Sequence, residues 1–111
     1  MRVLLLGRNK ITKVENLDYL KHLVALDLHS NQITKIENMA LDFNCLKILN
    51  LANNKLTYIE ADCLYGLESL TEIDLRENQI VSPQGLIHCH NLEKVLLSNN
   101  NINKFESIQF I

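Results

Sequence analysis

Only three glycines occur in the chain, too few and too dispersed to form a Gly-rich loop that cradles phosphate. No serine or cysteine has a base at the spacing of an acylating motif. Apolar runs are short as well. The run near the N-terminus covers residues 3–6, against the roughly 20 residues that cross a bilayer. Neither a membrane segment nor a secretion signal is read. There is no excess of one charge: 11 Lys and Arg against 13 Asp and Glu leave a net charge of -2. The basic residues read as scattered among acidic ones, not gathered in a stripe, so no nucleic-acid partner is expected. Cysteine is scarce and odd in number. Cys45, Cys63 and Cys89 each fall in a connecting segment near an apolar slot, where a small hydrophobe fits. Without clustered cysteines at the ends, reduced structural thiols and a cytoplasmic compartment are expected.

What is present is repetition. Residues 23–33, LVALDLHSNQI, fit the template L-x-x-L-x-L-x-x-N-x-I, and the template returns along the whole sequence. Rungs begin at Met1, Leu23, Leu46, Leu70 and Leu92, with spacings of 22, 23, 24 and 22 residues. The later slots hold Leu4, Leu6 and Ile11, then Leu26, Leu28 and Ile33, then Leu49, Leu51 and Leu56. Ile73, Leu75 and Ile80 follow, then Val95, Leu97 and Ile102. This period identifies leucine-rich repeats. The fold class is therefore α/β: a right-handed leucine-rich repeat solenoid with a short parallel β-sheet on its concave face. Short helical turns and loops make the convex face. A single domain of about five repeats is expected (1–22, 23–45, 46–69, 70–91 and 92–111). It reads as an uncapped piece of a longer array, its ends covered by further repeats or another chain.

The asparagines Asn9, Asn31, Asn54, Asn78 and Asn100 stand where the chain must leave the strand. An inward carboxamide supplies donors and an acceptor to backbone groups that a leucine would leave bare, so these five are read as a structural ladder. Beyond each asparagine the apolar spacing changes to threes, which favours 3₁₀ turns over regular α-helix. Residues 60–67 are the best candidate for a genuine helical turn, and Ser82-Pro83-Gln84-Gly85 breaks the pattern with an extended or turned backbone.

Outward strand positions form three columns: Val3, Ala25, Ile48, Glu72, Lys94; Leu5, Asp27, Asn50, Asp74, Leu96; and Gly7, His29, Ala52, Arg76, Ser98. Val3, Leu5, Ala25 and Ile48 make an apolar patch beside a polar zone of Asp27, His29, Asn50, Glu72, Asp74 and Arg76. Lys94 and Leu96 lie at the far end. Apolar residues outside without a packing role point to a contact with a protein partner. Five strands about 4.8 Å apart give a face on the order of 300 Å², whereas a stable interface uses about 800 Å² per partner. Side-chain relief or further rungs must supply the remainder.

Chemistry is not expected here. Asp27 and Asp74 share a column two rungs apart, yet an open face excludes no water and raises no carboxyl pKa, so they read as solvated charges facing a partner. His88-Cys89-His90 lacks a second ligand pair at metal-site spacing, and Cys89 is expected to point inward between Leu86 and Leu92. The protein is read as a non-enzyme without metal or cofactor.

The segments NKITKVENLDYL and NQITKIENM resemble the 22-residue intracellular class of leucine-rich repeats, which includes the regulatory leucine-rich subunit of protein phosphatase one and axonemal dynein leucine-rich light chains. LLLGRNKI and ALDLHSNQITKIEN, with LKILNLANNKL and LTEIDLRENQI, are similar to leucine-rich-repeat subunits associated with the tubulin polyglutamylase complex and centriolar satellites. That resemblance implies a non-catalytic scaffold that localises a glutamate-adding enzyme to microtubules of cilia or centrioles. A regulatory subunit controlling an enzyme such as a phosphatase, or a structural axonemal component, are the alternatives it leaves open.

Overall fold

Alternating L-x-L puts two side chains of each rung on one side of an extended segment. The computed structural model describes residues 2–15, 17, 20–37, 43–60, 64 and 67–102. In it a three-residue strand begins one residue before the first apolar residue of each L-x-L segment: β1 (Val3–Leu5), β2 (Ala25–Asp27), β3 (Ile48–Asn50), β4 (Glu72–Asp74) and β5 (Lys94–Leu96). They form one sheet in chain order, every pairing parallel. The register stacks Leu4, Leu26, Leu49, Ile73 and Val95 directly upon one another.

Packing follows the number of neighbours. Leu23, Leu26, Leu28 and Ile33 of the second rung are buried, as are Leu46, Leu49, Leu51 and Leu56 of the third and Leu70, Ile73, Leu75 and Ile80 of the fourth. In the first and fifth rungs, which have one neighbour each among the described residues, the equivalent Leu4, Leu6, Ile11, Leu92, Val95, Leu97 and Ile102 are only partly buried. Burial of this kind sums over nearest-neighbour contacts, the energetics of a solenoid.

The return side is built on spacing by threes. Leu20, Phe43, Leu67 and Cys89 each accept a hydrogen bond from the amide three residues on, that of Leu23, Leu46, Leu70 and Leu92, all at 3.2 Å. These are 3₁₀-type bonds, the expected outcome for so short a return. Phe43 and Cys89 thus fill one inward column with Leu20 and Leu67, and both are buried. Pro83 shares the inward column of Val14, Ile36 and Ile59, and all four are buried. Its backbone is turned (φ -90°, ψ 12°), and it caps the N-terminus of a 3₁₀ helix, Gln84–His88. Gly85 is required in that helix because a Cβ would collide with the Ile59 and Glu60 carbonyls. Met1, Cys63, most of the helical turn expected at 60–67 and the last nine residues of the repeat expected at 92–111 lie outside the described residues.

Each strand ends in the same device. The ladder asparagine reaches across to its neighbours: Asn54 Nδ2 donates to the Leu51 and Ala52 carbonyls of its own rung and to the Leu28 carbonyl of the preceding rung. Its Oδ1 accepts the Ile33 amide at 3.0 Å. Asn31, Asn78 and Asn100 repeat that pattern on Leu6, Leu51 and Leu75. Asn9 is exposed and donates to Leu6 and Gly7 of its own rung.

The residue before each of these asparagines carries a positive φ: Arg8 at 59°, Ser30 at 56°, Asn53 at 55°, Glu77 at 59° and Asn99 at 62°. A left-handed residue turns the chain sharply enough to bring the asparagine inward, at a cost of roughly 1 kcal/mol for an L residue with a Cβ.

Candidate protein-docking face

Register places the outward residues as the repeat spacing requires. Val3 faces Ala25, Ala25 faces Ile48, Ile48 faces Glu72 and Glu72 faces Lys94. Leu5, Asp27, Asn50, Asp74 and Leu96 form the second column. The third is fixed by backbone bonds instead: the amides of Arg8, Ser30, Asn53 and Glu77 donate to the carbonyls of His29, Ala52, Arg76 and Ser98 in the following rung.

The apolar part of the face stands clear of the core. Leu5 is 72% exposed, Val3 54% and Ile48 41%. Ala25, between Val3 and Ile48 in the same column, has no side chain beyond Cβ. None of the three large residues contributes to the buried cluster, so the scaffold gives no reason for them.

The polar zone is less free than its sequence suggests. Asp27 Oδ1 accepts the His29 amide at 3.0 Å, Asn50 Oδ1 the Ala52 amide at 3.0 Å and Asp74 Oδ1 the Arg76 amide at 3.1 Å. Each is a short acceptor bonding its own backbone two residues on, the geometry of an Asx turn, and it closes the strand end. Asp74 is also 7% exposed, which corrects the expectation of a solvated charge. Burial pushes its carboxyl up, but the Arg76 side-chain and backbone hydrogen bonds outweigh this, with the Arg76 and Lys94 charges adding, and the net is a lowered pKa. Arg76 itself is raised by the same bond. The recurrence of Asp, Asn, Asp in one column is the sequence signal that could have revealed this role.

His29 lies over the first rung. A Cβ on Gly7 would collide with its imidazole ring, so the glycine is what lets the ring settle there. Its Nδ1 shares a hydrogen bond with Ser30 Oγ at 3.0 Å, and Nε2 lies 3.9 Å from Asp27 Oδ1. Glu72 is half-buried, while Lys94 is exposed and Leu96 half-buried.

Among the described residues no three His, Cys, Asp or Glu side chains are grouped to hold a metal, and no helix is long and apolar enough to cross a membrane. Cys89 is inward as expected; burial pushes its thiol pKa up, and Sγ lies 4.0 Å from the Leu64 carbonyl.

A stack of parallel strands, an inward asparagine ladder and an outward sheet face define, among the described residues, a repeat solenoid with an open surface. The Leucine rich repeat family model matches residues 21–80 and 45–102, and the chain belongs to that family. Relatives include the U2 small nuclear ribonucleoprotein A' of Candida albicans, 30% identical over 110 residues, which cover 96% of this chain and 47% of that protein. Vasorin of Xenopus tropicalis is 35% identical over 82 residues, which are 73% of this chain and 12% of vasorin. The chain thus spans at most about half the length of these curated relatives. In structure it is similar to the Leptospira interrogans leucine-rich repeat protein LIC12759, with a TM-score of 0.85, 30% identity and coverage of 96% of this chain and 27% of that one. It is also similar to a chain of the Drosophila melanogaster SNF/U2A' complex, with a TM-score of 0.80, 28% identity and coverage of 90% and 59%.

Proposed function

We propose that the chain is a non-catalytic scaffold that docks a protein partner on its concave face, with Val3, Leu5 and Ile48 beside Ala25 as the apolar anchor. The observation that carries this reading is their exposure on a sheet whose packing and hydrogen bonding are complete without them. Isolated exposed apolar residues are common on surfaces; three at one end of the same sheet face make a contact patch. Asp27, His29, Asn50, Glu72, Asp74, Arg76, Lys94 and Leu96 frame it and set orientation more than affinity. The similarity to a chain of a two-protein complex, SNF/U2A', is in keeping with a protein partner.

The narrower placement is a cytoplasmic microtubule or ciliary assembly, and it rests on the segments LLLGRNKI and ALDLHSNQITKIEN. The test is affinity capture from lysate with wild type and with the Leu5→Glu/Ile48→Glu variant, both checked for an unchanged urea midpoint. Loss of a protein captured by wild type is the expected result. Unaltered capture by the folded double variant removes the concave patch as the docking site.

A further inference from the structure

Five of the eleven basic residues that look scattered along the chain are grouped by folding. Arg8 belongs to the left-handed corner, Lys10 and Lys55 to the position just before the apolar residue that follows each asparagine, and Lys13 and Lys35 to the position three residues further. Backbone bonds fix these alignments: the Gln32 amide donates to the Ile11 carbonyl at 2.8 Å and the Lys55 amide to the Ile33 carbonyl at 2.9 Å. Lys10, Gln32 and Lys55 are therefore one column. Lys13 and Lys35 occupy the same position in adjacent rungs, about 5 Å apart by strand spacing. All five cations are exposed, on the edge that starts at the asparagine turn.

The scaffold does not ask for cations there. The same columns hold Gln32, Gln79, Tyr58 and Ser82 in other rungs, and like charges in register repel. None of the five is paired: among the described residues the ion pairs within 4.0 Å are Asp27–His29 and Asp74–Arg76. Among the described residues the stripe spans three rungs, about 10 Å of solenoid: in the fourth the corner residue is Glu77 and the two columns hold Gln79 and Ser82.

We propose that this edge is a second docking surface, separate from the concave face, that takes a short Asp/Glu-rich segment of a partner protein. Its extent matches about three residues of extended chain. Glu15 and Glu37 follow Lys13 and Lys35 at two residues' distance and would repel a uniformly anionic polymer that ran past the stripe. Nucleic-acid binding draws its affinity from about 6–10 phosphate contacts, more than five cations on so short an edge provide. An acidic cluster bounded by neutral or basic residues has neither difficulty.

Fluorescence anisotropy with a labelled peptide of three glutamates flanked on each side by Gly-Ser, at about 50 mM salt, where exposed charges are weakly screened, tests this. The Lys13→Gln/Lys35→Gln/Lys55→Gln variant should bind about ten-fold more weakly, three exposed ion pairs being lost, with its urea midpoint unchanged. The Arg2→Gln/Lys21→Gln/Lys47→Gln variant carries the same net charge and should bind like wild type. So should Leu5→Ser/Ile48→Ser, which separates this surface from the concave one. Equal weakening by both lysine variants would reduce the effect to overall charge and overturn the proposal. So would absence of peptide binding by wild type, or tighter binding of oligouridylate or phosphatidylserine vesicles through the same lysines.

Discussion

Arg76 grips Asp74 with two side-chain hydrogen bonds, Nε to Oδ1 at 3.0 Å and Nη2 to Oδ2 at 2.7 Å, while its own amide donates to the same Oδ1 at 3.1 Å. This is the fork geometry that makes Arg–carboxylate pairs strong. Since the folded carboxyl lies below its ordinary value, the ionised form is favoured in the native state. Its contribution is complete above the unfolded carboxyl pKa of about 4 and is lost as pH falls through the lower, folded value. The Asp74→Asn variant should therefore be less stable than wild type at pH 7. In urea unfolding at a series of pH values the gap should close on acidification, and a gap of constant size from neutral to acid pH would contradict the pair's role.

The ladder makes a graded prediction. Asn54 is buried and satisfies groups of its own rung and of the preceding one, so Asn54→Leu should cost about 1–3 kcal/mol through backbone groups left without partners. Asn9 is exposed, and the carbonyls it bonds can reach water. Asn9→Leu should cost under about 1 kcal/mol. Equal losses in chemical denaturation would mean that the asparagines act through something other than burial of the backbone.

Positive φ at the rung corner separates two substitutions at one exposed site. At Glu77 (φ 59°) valine is β-branched and should destabilise by roughly 1–2 kcal/mol. Glycine adopts that region without strain and should be close to neutral or slightly stabilising. Thermal midpoints of the two variants against wild type decide the matter, and a valine variant as stable as the glycine one would refute the left-handed corner.

Cys89 is buried and its thiol pKa is raised by desolvation, and thiolate is the reactive species. Alkylation by iodoacetamide should be slow at Cys89 until urea unfolds the chain, while Cys45, only half-buried, should react faster. Peptide mass spectrometry over a time course reads both rates. A Cys89 rate equal to that of Cys45 in the native protein would place the thiol outside the core.

Much of this architecture is legible before folding, because a template with period two inside the strand and a fixed return length makes one-dimensional spacing into three-dimensional register. Val3, Ala25 and Ile48 could be aligned from their offsets, and their strands pair in that register. Phe43 could not be placed so easily: it is buried in a column whose other members are two leucines and a cysteine, in a return of variable length. The 3₁₀ helix at Gln84–His88 lies just beyond the point where Pro83 marked a break, since proline's fixed φ and missing donor suit the first turn of a helix better than its interior.

The sequence by itself determined the repeat, the inward leucines and the ladder asparagines, since burying apolar groups and pairing backbone groups leave few choices at those positions. Tertiary structure alone decided which outward groups remain available. Asp27, Asn50 and Asp74 look free in the sequence but are bonded to the amide two residues on. Arg8, Lys10, Lys13, Lys35 and Lys55 look scattered but share one edge. Hydrogen bonding and charge act through distance, and the distances between residues of different rungs exist only once the rungs have stacked.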